Sequence, residues 1–286
     1  VARAKAQTTE LATWDEELAK LASAGAGLTS SGGGGKFFTL RAGQISYDDT
    51  PLPGNQMACI IVAWCLENVY YEGAFDPDNR TPPTCFAFHK DPETKDEMAP
   101  HPSVFKEDCF TPQHDGECKD CPMNEWGSAD KGRGKACSNR RRLAIIPAGS
   151  YNRQGKSNNY DLEMFDDEAH YKSAEEAYLK VPVTSGKNFD KYVRELSEEF
   201  KRPTFAVFTR IWSEPDPKSQ FKLNFEMLDL VPNELMEAVF KRYKDLNERI
   251  DFPYLPPSDD EEEKPAKQNA KLGRQKAVSA GRGKRK

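Results

Sequence analysis

Cys118 and Cys121 are separated by two residues, and a third cysteine, Cys137, closes the same stretch, CKDCPMNEWGSADKGRGKAC. Two intervening residues let a pair of thiolates reach one ion from a tight turn, and Pro122 stiffens the exit. Cys137 can complete the site from across the loop. A fourth sulfur is offered twice, by Cys85 and by Cys109, with His101 and His114 as outlying alternatives. Four thiolates make a closed zinc site, which fastens a chain and leaves no coordination position for catalysis. An iron–sulfur cluster takes the same donors, and spacing does not separate the two. Zinc is the expectation, the cluster the alternative, and unconnected thiols the plain reading.

The chain around Cys137 is basic. Lys131, Arg133, Lys135, Arg140, Arg141 and Arg142 fall within one short stretch. Held by a rigid staple, such groups could track a phosphate backbone. The plain reading is a solvated loop that offsets an acidic body. Aromatic residues favour the first reading: Trp126 lies in the loop, and Phe37, Phe38, Tyr70, Tyr71, Phe86 and Phe88 lie on predicted strands. Bases stack on such rings for about 1–3 kcal/mol each where a positive groove guides the strand. Most strand aromatics belong to a core, so only some of Phe37, Tyr70, Phe86 and Trp126 are expected to stack. Tyr70 and Tyr71 are adjacent and face opposite ways on a strand, so at most one of them serves. The sequence holds no nucleophile elbow and no histidine-rich metal pair, and its four histidines are scattered.

These residues need elements to hold them. Apolar residues make up 37% of the 286-residue chain and charged residues 30%, so much of its length is surface, loop or tail. Leu11, Trp14, Leu18 and Leu21 predict a short amphipathic helix over 11–23, opened by a Thr13–Glu16 capping box. Gly32 to Gly35 then read as a hinge, so residues 1–35 form a leader to the domain. KFFTLR (36–41), QMACIIVAWCLENVYYEGAF (56–75), TCFAF (84–88), RRLAIIP (141–147), AYLKVPV (177–183), PTFAVFTRIW (203–212) and QFKLNFEMLDL (220–230) predict strands. YNRQGKSNNYD reads as a polar loop. Ala58, Ile60, Val62, Trp64 and Leu66 are expected on one face, with Cys59 and Cys65 as core residues on the other. Helices are predicted from Ser185, along Phe189, Tyr192, Val193, Leu196 and Phe200, and over 233–250. Residues 90–137 have no usable periodicity, and metal is the economical staple for so long a segment.

The order of elements predicts an α+β, mainly β fold: an OB-like antiparallel barrel over 36–252, with a cysteine-rich zinc insertion at about 85–140 and flanking helices. No repeated βαβ unit appears. OB barrels commonly receive single-stranded nucleic acid on an open face. Residues 253–286 predict a disordered charged tail. Its last part, 264–286, carries nine Lys and Arg and no acid, behind the acidic block Asp259–Glu263. The body ahead of it holds 32 basic and 46 acidic residues, so any phosphate site there must be a local groove. No apolar run suits a membrane span, and the N-terminal residues hold no apolar signal core. A cytoplasmic protein with reduced thiols is expected, in a host cell if it is viral.

The string CKDCPMNEWGSADKGRGKACSNRRRLAII is similar to a cysteine motif of many uncharacterised bacteriophage proteins. There an upstream Pro-x-Cys, resembling Pro83-Thr84-Cys85, accompanies the later cysteines, which implies Cys85, Cys118, Cys121 and Cys137 as ligands. The layout also resembles the single-stranded-DNA-binding proteins of T-even bacteriophages. That family implies an OB-fold, an inserted zinc subdomain and an acidic C-terminal segment. The triplet Cys109, Cys118 and Cys121 matches its spacing and implies Cys109 instead of Cys85. That family uses a histidine ligand where this chain offers a cysteine, and its acidic segment is terminal, whereas here a basic tail follows.

Together these readings predict a non-enzymatic protein that coats exposed single strands in phage DNA replication or recombination without strong sequence preference. The charged tail is expected to meet replication or recombination proteins. The alternative is a zinc-ribbon adaptor or transcription factor that binds RNA polymerase or a replication enzyme and touches no DNA. A third reading is an iron–sulfur protein of nucleic-acid metabolism.

Overall fold

A computed structural model describes residues 36–72, 82–91, 93–104, 116–130, 132–155 and 159–254. The predicted N-terminal helix, the glycine hinge and the charged tail beyond Tyr254 lie outside the described residues; Tyr254 itself, expected at the start of a disordered tail, is instead tied to the sheet by its bond to Glu67. The apolar run QMACIIVAWCLENVY becomes one long strand, β5 (Gln56–Tyr70). RRLAIIP becomes the middle of another, β7 (Ser138–Arg153). β5 is rich in β-branched and aromatic side chains and β7 has the apolar run Leu143–Ile146 at its middle, which suits a pleated surface covered on both faces. They pair antiparallel from Ala58↔Gly149 to Val69↔Ser138 and form the centre of an eight-stranded sheet.

Shorter strands share the outer edges of this pair. On β5, β10 (Val207–Asp216) pairs along Gln56–Cys59 and β6 (Cys85–His89) along Leu66–Tyr70. On β7, β9 (Ala177–Val181) pairs along Arg141–Ile145 and β8 (Tyr160–Met164) along Gly149–Arg153. The path ends at β1 (Lys36–Phe37), parallel to β9, and at β11 (Gln220–Leu230), antiparallel to β10. A separate meander of β2 (Thr39–Arg41), β3 (Gln44–Tyr47) and β4 (Thr50–Pro51) completes the strands. The fold is α+β and mainly β. Among the described residues no closed barrel forms: β1 and β11, the ends of the path, do not pair with each other.

Helices cover both faces of the sheet. On one, Leu235, Ala238, Val239 and Leu246 of α3 (Asn233–Arg249) pack with Tyr171 of α1 (Glu168–Ser173) over Ala144, Ile146 and Ala148. On the other, Phe189 and Tyr192 of α2 (Gly186–Glu195), with Leu196, pack over Leu143, Ile145 and Leu179. The alternation along β7 thus splits the core into two layers.

Local readings differ at four places. KFFTLR breaks at Phe38, whose N–H donates to the Tyr178 carbonyl at 2.8 Å, so it supplies two short strands instead of one. The polar stretch after Ser150 extends β7 and opens β8; its polar side chains face solvent along a hairpin. The six-residue α1 is unforeseen, and the Asp167 side chain caps it by accepting from the Ala169 N–H. The expected single face of β5 also fails. Ile61 pairs with Ile145 and Ala63 with Ala144, leaving Val62 as the extra residue of a bulge. Beyond it the alternation inverts. Met57, Cys59, Ile61 and Trp64 share the α2 side, while Ile60, Val62, Ala63 and Cys65 share the α3 side. Cys59 and Cys65 are core residues, as expected.

At the middle of the β5–β7 pairing a charge pair is sealed in. Arg142 donates from Nε and Nη2 to Glu67 Oε1 at 2.9 and 2.5 Å, and both side chains are fully buried. Arg142 Nη1 donates to the carbonyls of Ile250 and Phe252, at 3.2 and 2.8 Å, just beyond α3. Tyr254 Oη donates to Glu67 Oε1 at 2.9 Å. The guanidinium also lies 4.2 Å from the Phe88 ring centroid and 4.4 Å from that of Phe252. This network ties the segment leaving α3 to the sheet. Removing one partner strands the other charge without water. Arg142→Met should therefore cost about 3–5 kcal/mol in urea unfolding, whereas Arg142→Met/Glu67→Gln should recover part of that loss. Equal stability of the single variant and the parent would refute the assignment.

Candidate metal centre and its basic rim

β6 begins at Cys85, opposite Tyr70 at the end of β5. After β6 the described chain forms only short 3₁₀ turns, at Lys95–Glu97, Cys118–Asp120 and Pro122–Asn124, before re-entering the sheet at Ser138. The Cys118 N–H donates to the Met98 carbonyl at 2.6 Å, the Cys121 N–H to Cys118 at 3.4 Å, and the Cys137 N–H to Met123 at 2.7 Å. These bonds bring Cys85, Cys118, Cys121 and Cys137, from three separate segments, to the lining of one small cavity. Its free space is about 20 Å³, room for one water-sized sphere. Phe86, Ala87, Pro100 and Met123 supply an apolar wall. Among the described residues no three His, Cys, Asp or Glu side chains stand in ligand geometry around a point. The donor set nevertheless fits a thiophilic ion: sulfur only, with no carboxylate in the lining. Cys137 carries its thiol pKa up to about 12, first through burial and then through the neighbouring Cys118 and Cys121. Cys109 and His114 lie outside the described residues. His101 is occupied elsewhere: its ring stacks on Phe86 at 5.2 Å and its Nδ1 meets Ser103 Oγ at 2.8 Å.

Three asparagines brace this corner, and sequence reasoning passed over them. Asn124 Nδ2 donates to the Cys118 carbonyl at 2.7 Å, while its Oδ1 accepts from Lys135 Nζ at 3.0 Å and Asn139 Nδ2 at 3.1 Å. Asn139 also reaches Asn68 Oδ1 at 2.6 Å across β5 and β7. Asparagine inside a strand is disfavoured, so Asn68 in the apolar run of β5 carried a signal that could have been read. Ser128 closes the loop, its Oγ donating to the Met123 carbonyl and accepting from the Ala136 N–H.

The basic stretch does not act as one patch. Arg140, Arg141 and Arg142 are consecutive on β7, so they alternate between faces. Arg142 is fully buried against Glu67 and offers nothing to a phosphate; that expectation is corrected. Arg141 forms a bidentate pair with Asp190 of α2, at 3.1 and 2.9 Å, which largely neutralises it. Arg140 is half-buried, Arg133 is exposed, and Lys131 lies outside the described residues. Lys135 sits 5.9 Å from the ring centroid of Trp126, which is 79% exposed. Phe86 is only 5% exposed, packed with Val69 and Val104, so it is core and not a stacking platform. Phe37 is likewise engaged, tilted against Tyr178 at 5.5 Å and beneath Lys180. Tyr70 is half-buried and lines the sulfur cavity. The rim is thus Trp126 and Arg133, which are exposed, with Lys135 and Arg140 half-buried.

Lys180 is the half-buried cation that sequence reasoning missed. Its Nζ donates to Tyr254 Oη at 2.6 Å and lies over the Phe37 and Tyr254 rings. Glu67 is the one carboxylate facing both it and Arg142, and Glu67 Oε2 has no hydrogen-bond partner. Burial lowers the Lys180 pKa to about 8; Glu67 opposes that shift, and Arg142 and Arg140 add to it. No protein family, no curated protein and no solved structure matches this chain.

Between about pH 8 and the ordinary lysine value, the unfolded chain binds the proton that folded Lys180 has released. Stability from this group therefore rises with pH across that window, and its cost is full below pH 8. Lys180→Met should be the more stable form at pH 7, with its advantage shrinking toward pH 10.5. Urea midpoints of both forms across that range check this, and a constant difference would contradict it.

Proposed function

We propose that this chain is a single-stranded-DNA-binding protein of the kind bacteriophages use to coat exposed strands in replication or recombination, binding without turnover and without strong sequence preference. One observation carries the reading: four cysteines from three segments line one cavity, and beside it the loop presents an exposed Trp126 with Lys135 and Arg133. A zinc ion held by Cys85, Cys118, Cys121 and Cys137 would supply no reaction, only a fixed loop. The ring of Trp126 offers a stacking face, and the nearby cations offer phosphate contacts. The finer architecture of this reading is an open, OB-like sheet with a zinc-stapled insertion between β6 and β7. No described helix is long and apolar enough to cross a membrane.

A second reading has its own support. With Arg141 and Arg142 spent on internal pairs and the body acidic, Trp126 also suits a protein partner. In that case the chain is a zinc-ribbon adaptor for RNA polymerase or a replication enzyme.

Purified protein is expected to contain one zinc per chain by elemental analysis and to be colourless, where an iron–sulfur cluster would be brown. Cys85→Ser should lose the metal and Cys109→Ser should keep it; the reverse pattern would exchange the two ligands, and metal-free folded protein would remove the centre altogether. A fluorescent oligonucleotide should bind more tightly than duplex of equal length, with affinity falling steeply as salt rises. Retardation of neither form in a gel shift would favour the adaptor.

A further inference from the structure

One edge of β5 loses its strand partner partway along. Pairing with β10 stops at Cys59, pairing with β6 starts at Leu66, and the Val62 bulge falls between. A groove of about 530 Å³ opens there, within the range of small-molecule sites. Its floor is Val62–Trp64, and its walls come from the turn after α2 and from α3. Three cations line it, Lys90, Lys201 and Arg202, and no carboxylate does. Lys90 is spent locally: it pairs with Asp251 at 2.9 Å and donates to the Asn247 and Glu248 carbonyls. Lys201 and Arg202 are exposed, and among the described residues neither is held in an ion pair.

Their position is fixed by the backbone. The α2 helix runs into a π turn, Leu196–Phe200, which Lys201 ends in the left-handed region at φ 53°. The N–H groups of Lys201 and Arg202 both donate to the Leu196 carbonyl, the second at 3.1 Å. The two cations therefore stand on a rigid corner of the groove. Glu198 and Glu199 belong to the same turn but lie outside the lining. Aromatic surface faces them. Phe205 stacks on Tyr243 at 4.4 Å and 25°, and Phe240, which is exposed, extends the stack at 5.9 Å. Trp64 stands at the floor, half-buried, edge-on to Phe189.

Ring faces beside two uncompensated cations match a nucleoside phosphate: the base meets an aromatic surface while the phosphate meets Lys and Arg. We infer that this groove takes a nucleotide unit of single-stranded DNA, with the base against the Trp64, Phe205 and Tyr243 surface and the phosphate on Lys201 and Arg202. The inference rests on the DNA-binding reading and adds a contact region well removed from the Trp126 loop. Along β5, Ala63 and Tyr70 are roughly 23 Å apart at about 3.3 Å per residue.

The test uses the full chain and a labelled oligothymidylate of about fifteen nucleotides, titrated at several salt concentrations. Lys201→Gln/Arg202→Gln removes two exposed charges, and circular dichroism checks its fold. Affinity should drop tenfold or more, and the log–log salt slope should become shallower by about 0.7, the value for one single-strand phosphate contact. Parental affinity and slope in that variant would overturn the groove and leave the DNA reading standing. If the parent binds no oligonucleotide, the DNA reading fails. The groove's ligand class is then judged by dTMP: tryptophan quenching that the double variant loses sustains it for free nucleotides, and no quenching overturns it. Strands carrying 4-thiothymidine give a measure independent of any variant. Crosslinks to peptides containing Phe205 or Tyr243 support the groove, and crosslinks confined to residues 118–142 overturn it.

Discussion

A buried ion pair sits where the two longest strands meet, and much of the fold is organised around it. Arg142 on β7 and Glu67 on β5 are sealed from water, so each needs the other and needs further partners. Those partners are the carbonyls of Ile250 and Phe252 and the hydroxyl of Tyr254. The chain leaving α3 therefore cannot wander from the sheet without exposing a charge to an incomplete shell. Phe37, Phe88, Phe252 and Tyr254 surround the guanidinium, which joins β1, β6 and the C-terminal segment in one aromatic box. Lys180 is held, half-buried, in the same box with no carboxylate of its own, so its charged form is disfavoured there.

The same strand ends create the sulfur cavity. Asn68 and Tyr70 finish β5, Cys85 opens β6, and Cys137 precedes β7, so the pairing that buries Glu67 also sets the cysteines at one corner. The asparagine bridge from Asn68 through Asn139 to Asn124 carries that register into the loop. Under the proposed function, strand pairing and metal would divide the labour. The sheet sets where the loop starts and returns, and an ion would fix what lies between.

The distribution of charge gives the reading its shape. An acidic body has no average field for phosphates, so only local groups count. Of the three consecutive arginines near the start of β7, two are consumed by Asp190 and Glu67. Among the described residues, cations stand beside aromatic side chains in the Trp126 loop and in the groove at the gap beside β5.

The main strands and the helices from Ser185 and over 233–250 were legible because period is a local property; among the cysteines, spacing singled out Cys118, Cys121 and Cys137 and left the fourth between Cys85 and Cys109. β-branched runs predict strands wherever they fall, and Cys118 and Cys121 advertise a turn. The fate of Arg140, Arg141 and Arg142 was half legible: alternation along a strand already forbids one shared face, but which arginine is buried depends on Glu67, seventy-five residues away. The Val62 bulge was not legible, because an extra residue is visible only against the partner strand that it fails to meet. Sequence alone determined which side chains could bind metal, stack or carry charge. Tertiary structure decided which of them face solvent, because burial comes from pairings between distant segments that no local pattern encodes.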